Sequence, residues 1–218
     1  SMYNLGHVID GSKQMLDILV KGPGGIEIVP GSSGLSKVAD LDTEARANVL
    51  RGLAVLQDEA DFIIIDTMAG IGVNVVSFAA AADEVLLVTT PEPSAIVDAY
   101  AMVKTLHAQR PELPIRLIVN MVANQAQAQA VASKLSTVAR QYLGRPVTYL
   151  GFILRDPHVG QAVMQSQPFS LQYPTAPAAR CVEILARRLV NQQAAPGEKR
   201  KEGFLRRFAN SLGIASNS

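Results

Sequence analysis

Asp61-Phe62-Ile63-Ile64-Ile65-Asp66-Thr67-Met68-Ala69-Gly70 is the stretch on which the fold turns. Apolar β-formers occupy successive positions rather than alternate ones, so both faces of the strand they predict call for cover. That is the pattern of a strand inside a parallel sheet. Asp66 arrives at the carboxyl end of this strand and Gly70 follows four residues later. A carboxylate so placed can hold Mg2+ or its water in a phosphate-transferring site, and a glycine amide can donate to a terminal phosphate oxygen. The plain alternative is a strand ending in an Asp that caps a helix starting near Gly72.

Outward from this stretch, β-branched runs at 25–30, 84–90, 115–122 and 148–154 also read as strands. Apolar spacing of three and four predicts helices over 43–59, 72–82, 94–110, 124–142, 157–166 and 175–193. The alternation predicts an α/β fold: three layers, a mostly parallel sheet with helices on both faces. Such sheets bind ligands beyond the carboxyl ends of their strands, here after Ile65, Val88 and Val119. Past Gln193 the composition shifts through Ala194-Ala195-Pro196-Gly197 into a basic segment. The expected organisation is a domain over 1–193, then a linker and tail over 194–218.

The chain has 218 residues, 48% of them hydrophobic and 18% charged, enough apolar surface for one well-buried core. A formal net charge of +1, with Lys and Arg dispersed, gives no long-range pull on nucleic acid and disfavours DNA binding. A lone Cys181 excludes an intrachain disulfide framework and reads as core. With no secretory leader at the start, and no apolar run approaching the roughly 20 residues that span a bilayer, a cytoplasmic location is expected.

A second informative stretch, Thr89 to Tyr100 as TTPEPSAIVDAY, follows the next buried strand. Its prolines stiffen the turn and Ser94 is the expected helix cap. Neither role asks for Glu92 or Asp98, which suit a partner surface. Asn120 closes the Leu117-Ile118-Val119 run, where a carboxamide can pair with a purine edge or simply make a turn. Near matches elsewhere fail. Gly6 to Lys13 transposes the Lys and Ser of a phosphate loop with no strand before it, and Gly22-Pro23-Gly24-Gly25 leads into a strand and reads as a turn. His7, His107 and His158 lack ligand-spaced neighbours, against a zinc site. In the tail, Phe204, Leu205, Phe208 and Leu212 fall on one helical stripe beside Arg206 and Arg207. A short membrane-surface helix has this composition, as does a helix that docks on its own domain or on a partner.

Taken together, DTMAGIG at 66–72, TTPEPSAIVDAY, the Asn120 strand and the Phe-Leu-Arg-Arg-Phe tail resemble the MinD/ParA ATPases, and within them the flagellar-number regulators called FlhG, FleN or YlxH. Met68 departs from the Gly or Pro usual in that turn. The resemblance implies a P-loop NTPase fold and an ATP-hydrolysing homodimer that uses Mg2+. Asp66 would serve the Mg2+ and water side, Gly70 the terminal phosphate, Asn120 the adenine, and the loop at Asp156 and Pro157 the base. Glu92, Ser94 and Asp98 would meet activators and partners. Implied partners are a FlhF-like GTPase, a flagellar transcription activator and switch-complex proteins, with peripheral attachment to the inner membrane through the tail.

One departure is large: no G-x-x-x-x-G-K-[ST], and no lysine-bearing relative of it, occurs in the chain. By the resemblance, the first strand, phosphate loop, first helix and second strand would precede residue 1. The absent strand would lie between 61–67 and 84–90, so two unpaired apolar edges are expected. A chain without the loop is expected to hold ATP weakly and not to hydrolyse it. Two other readings stay open: a ParA-like DNA-partition ATPase, and an interaction module without nucleotide chemistry.

Overall fold

The computed structural model describes residues 3–31, 43–192 and 199–211. The chain divides into two units, residues 1–82 with 198–218 and residues 83–197.

In the first unit, α1 (Leu5–Ile9) starts where the Asn4 side chain accepts from the Gly6 N–H at 2.9 Å. A short antiparallel hairpin follows, β1 (Val20–Lys21) on β2 (Glu27–Ile28). Gly22 to Gly25 form its turn, and the strand expected over 25–30 shrinks to two residues. Next come α2 (Thr43–Glu59) and α3 (Val73–Ala81), close to the helices expected from spacing.

Between them, residues 61–67 are not a paired strand. They are bonded to no strand among the described residues. Phe62 is 50% exposed and Ile64 84% exposed, with only Ile65 packed against the unit's core. This corrects the expectation at its strongest point, and the reason is physical. Apolar side chains on successive positions need cover on two faces and hydrogen-bond partners on two edges. The described residues supply neither.

The second unit holds a sheet that does satisfy those needs. β3 (Val85–Thr89), α4 (Pro93–Gln109), β4 (Ile115–Val122), α5 (Gln125–Leu143) and β5 (Thr148–Leu154) follow in order, then α6 (Pro157–Met164), α7 (Phe169–Gln172) and α8 (Pro177–Gln192). The three strands run parallel in the order β3-β4-β5, with Leu87 opposite Leu117 and Leu117 opposite Tyr149. Leu117 and Val119 pack on one face with Val103 of α4 and Val131 and Leu135 of α5. Ile118 points to the other, where Leu185 of α8 covers it beside Leu150. At Gly151 a Cβ would stand 2.8 Å from a terminal methyl of Leu185, so a side chain there would make Leu185 of α8 shift. β3 is an edge, and its Leu86 and Val88 side chains, on the face opposite Leu87, are exposed.

α9 (Lys199–Ser211) belongs to the first unit. Phe204 and Phe208 are buried there, Phe208 stacks on Phe78 of α3 at 4.7 Å, and Arg207 Nε donates to the Ala81 carbonyl at 2.9 Å. No described helix is long and apolar enough to cross a membrane.

Two substitutions separate the strand that is packed from the one that is not. Leu117→Ala should cost about 3 kcal/mol in urea melts, whereas Ile64→Lys should change stability by no more than about 0.5 kcal/mol.

Candidate functional site

Residues 66–72 make an exposed turn in the first unit. Gly70 has φ 102°, a backbone that favours glycine. α3 begins after Gly72 with no side-chain cap, which removes the reading of Asp66 as a capping residue. No set of three or more His, Cys, Asp or Glu side chains able to hold a metal ion occurs among the described residues. Asp66 presents an exposed carboxylate. That suits Mg2+, which keeps several waters and takes its other ligands from substrate phosphates.

In the second unit, a pocket of about 320 Å3 is lined by Pro91, Glu92, Met121, Ala123, Gln127 and Arg155. These residues lie beyond or near the carboxyl ends of β3, β4 and β5, where an α/β sheet places its ligands. The middle wall comes from a bulge. Val119 pairs with Phe152 and Val122 with Leu154, so β4 spends one residue more than β5 over this interval. Met121 sits there at φ 58°, a left-handed backbone costing on the order of 1 kcal/mol for a non-glycine residue. Bulges of this kind re-aim side chains beside sites. Asn120 thus lies within β4 rather than closing it. Its Oδ1 accepts from the Met121 N–H at 2.8 Å, which leaves the Nδ2 amine to donate. Gln127 Oε1 accepts from Ala123 N–H at 2.8 Å, and Asn124 caps α5 by accepting from Gln127 N–H at 2.9 Å.

On the β3 side, the Thr90 hydroxyl donates to the Glu92 carboxylate. Glu92 is itself the N-cap residue of α4 and Pro93 its first helical residue. Ser94 is therefore inside the first turn and does not cap, because Pro at the first position starts the helix one residue early. Ser94 and Asp98 are exposed on α4, as is Glu92, which also lines the pocket.

On the β5 side, Arg155 N–H donates to the Val122 carbonyl at 2.8 Å, and Arg155 lines the pocket. Asp156 caps α6, and Pro157 is that helix's first residue. The backbone N–H of Ala178 holds the Asp156 carboxyl below the usual aspartate range, helped by the His158 N–H and ring and opposed by burial. Composition gave no sign of Met121, Gln127 or Arg155, although Arg155 adjoins Asp156. In the tail, Arg206 is exposed, while the Leu205 side chain and Leu212 lie outside the described residues.

No protein-family model matches the chain. It is 34% identical over 185 residues to the antiactivator FleN of Pseudomonas aeruginosa, a match covering 85% of this chain and 66% of FleN. It is 31% identical over 216 residues to the flagellum site-determining protein YlxH of Helicobacter pylori, covering 96% of this chain and 72% of YlxH. The chain belongs to the MinD/ParA family of P-loop ATPases. Its fold agrees: the septum site-determining protein MinD of Pyrococcus horikoshii, complexed with Mg-ADP, superposes with a TM-score of 0.62 at 22% identity, over 86% of this chain and 73% of that one.

In this MinD/ParA-family chain, Asp156 makes a specific acid response. A depressed folded pKa adds stability that is complete above the ordinary aspartate value of about 3.9 and is lost as pH falls through the folded value. Urea melts should show Asp156→Asn flattening the acid limb of stability below about pH 4 while lowering stability at neutral pH.

Proposed function

We propose that the chain is the body of an ATP-dependent switch that sets the number or placement of flagella. The observation that carries this reading is its likeness to FleN and YlxH along most of its length. Asp66 serves the Mg2+ and its water, Gly70 the terminal phosphate, and Asn120 with the loop at Asp156 and Pro157 the adenine. Mg2+ bound there neutralises charge on the transferring phosphoryl group. Glu92, Ser94 and Asp98 form the surface for a second copy and for activators. A FlhF-like GTPase, a transcription activator and flagellar switch proteins are the partners that fit the family likeness.

The chain contains no lysine-bearing glycine loop. One carboxylate-held cation leaves most of a triphosphate's charge without a partner. The chain by itself therefore holds ATP weakly and does not turn it over. A net charge of +1 supports no DNA-partition role. Calorimetry with MgATP should give no binding tighter than about 1 mM, and a micromolar Kd would overturn this.

The tail provides reversible attachment at the inner membrane of a cytoplasmic protein. Its Phe204 and Phe208 are sequestered in the described state, so adsorption is weak until they are released. Phe78→Ala, which removes the ring stacked on Phe208, should raise co-sedimentation with phosphatidylglycerol vesicles severalfold. If α9 detaches in this variant and vesicle binding stays at the wild-type level, the membrane role is wrong.

A further inference from the structure

Just past the end of β5, Asp156 carries a carboxylate that is only 2% exposed. An ionised carboxylate taken out of water needs donors on its oxygens. Oδ1 accepts from the His158 N–H at 3.0 Å, in the first turn of α6, and lies 2.8 Å from Nδ1 of the same residue. Oδ2 accepts from the Ala178 N–H at 3.0 Å, in the first turn of α8. One side chain thus caps two helices whose starts are far apart in the sequence. Capping α6 alone would use one oxygen and leave the other in water. α7 joins the same cluster, because the ring of its C-cap residue Tyr173 packs on His158 with centroids 4.8 Å apart.

The helix gained by the second oxygen is the one that covers β5. Arg188 of α8 donates to the Leu150 carbonyl at 2.6 Å, and Leu185 packs on Ile118 and Leu150. α8 is therefore tied along β5 by Arg188 and just beyond its end by Asp156. Between Asp156 and the strand stands Arg155, whose N–H bonds the Val122 carbonyl and which lines the strand-end pocket.

We propose that Asp156 is a positioning residue: by clasping the first turns of α6 and α8 it fixes the turn after β5, and through that turn the place of Arg155 in the pocket. Both its oxygens are engaged and its side chain is enclosed, so the loop at Asp156 and Pro157 meets a bound base through groups other than this carboxylate. The site's ligand rests on the function proposed above, but the clasp is testable in the nucleotide-free chain.

Amide hydrogen exchange and 1H–15N spectra of the full chain carry the test. Asp156→Ser keeps a hydroxyl able to cap α6 but too short to reach Ala178. Asp156→Asn keeps the shape but turns an amine toward the Ala178 N–H or forfeits the His158 contact. His158→Ala removes only the ring. Ala178 should exchange at least about tenfold faster in Asp156→Ser, as expected for loss of a charge-assisted hydrogen bond, and in Asp156→Asn, whose single acceptor oxygen serves one side only, either Ala178 or the His158 N–H should do so. The Arg155, Met121 and Ala123 signals should move with it. His158→Ala should leave Ala178 protected, and Asp156→Ser should keep the His158 N–H protected. Slow exchange at Leu117 and Val119 certifies that each variant is folded, and Asp156→Asn carries the test if the serine variant is not. Unchanged Ala178 exchange in Asp156→Ser, or unchanged exchange at both Ala178 and His158 in Asp156→Asn, overturns the clasp. Freed Ala178 with unmoved Arg155, Met121 and Ala123 signals overturns the positioning role and leaves a structural cap. No readout involves nucleotide, so failure here is distinct from failure of the ATP switch.

Discussion

A backbone N–H or C=O buried without a partner costs free energy comparable to a lost hydrogen bond, so an apolar strand settles only where other strands flank it and helices cover it. β4 meets this condition. β3 and β5 lie on its two edges, and α4, α5 and α8 cover its two faces. Its order carries the second unit: the bulge at Asn120 and Met121 and the pocket beyond it exist because Leu117, Ile118 and Val119 are held in place.

The same constraint explains why residues 61–67 stand apart. Phe62 to Ile65 have a composition equal to that of a central strand, yet among the described residues they find no strand to pair with. The apolar pattern was legible and its partner was not, because hydrophobic periodicity reports how much cover a strand needs and never where that cover comes from. β3 shows a milder form, with Leu87 and Thr89 buried and Leu86 and Val88 exposed.

Helices and caps divide along similar lines. The helices at 43–59 and 157–164 lie close to where spacing places them, and the structure adds the Asn124 and Asp156 caps, which follow from local chemistry. Ser94 lost its expected cap to Pro93, a competition between neighbours decided by backbone φ. Asp66 and Asn120 could be picked out because each follows an apolar run in the sequence, whereas Asp156 came from the family resemblance. Arg155, Gln127 and Met121 could not, since a bulge leaves no compositional mark. The second hydrogen bond of Asp156, to Ala178, joins residues with two helices between their positions in sequence. The tail repeats the lesson, for its apolar stripe was plain while the surface that covers Phe204 and Phe208 was not.

Hydrogen exchange on the nucleotide-free chain tests the central claim most directly, by comparing the amides of 62–66 with those of Leu117, Ile118 and Val119. Rates near those of an open chain at 62–66, against exchange slower by orders of magnitude in β4, are what an unpaired segment requires. Equal, slow exchange in both would contradict it and would mean that the segment bearing Asp66 is already part of a completed sheet.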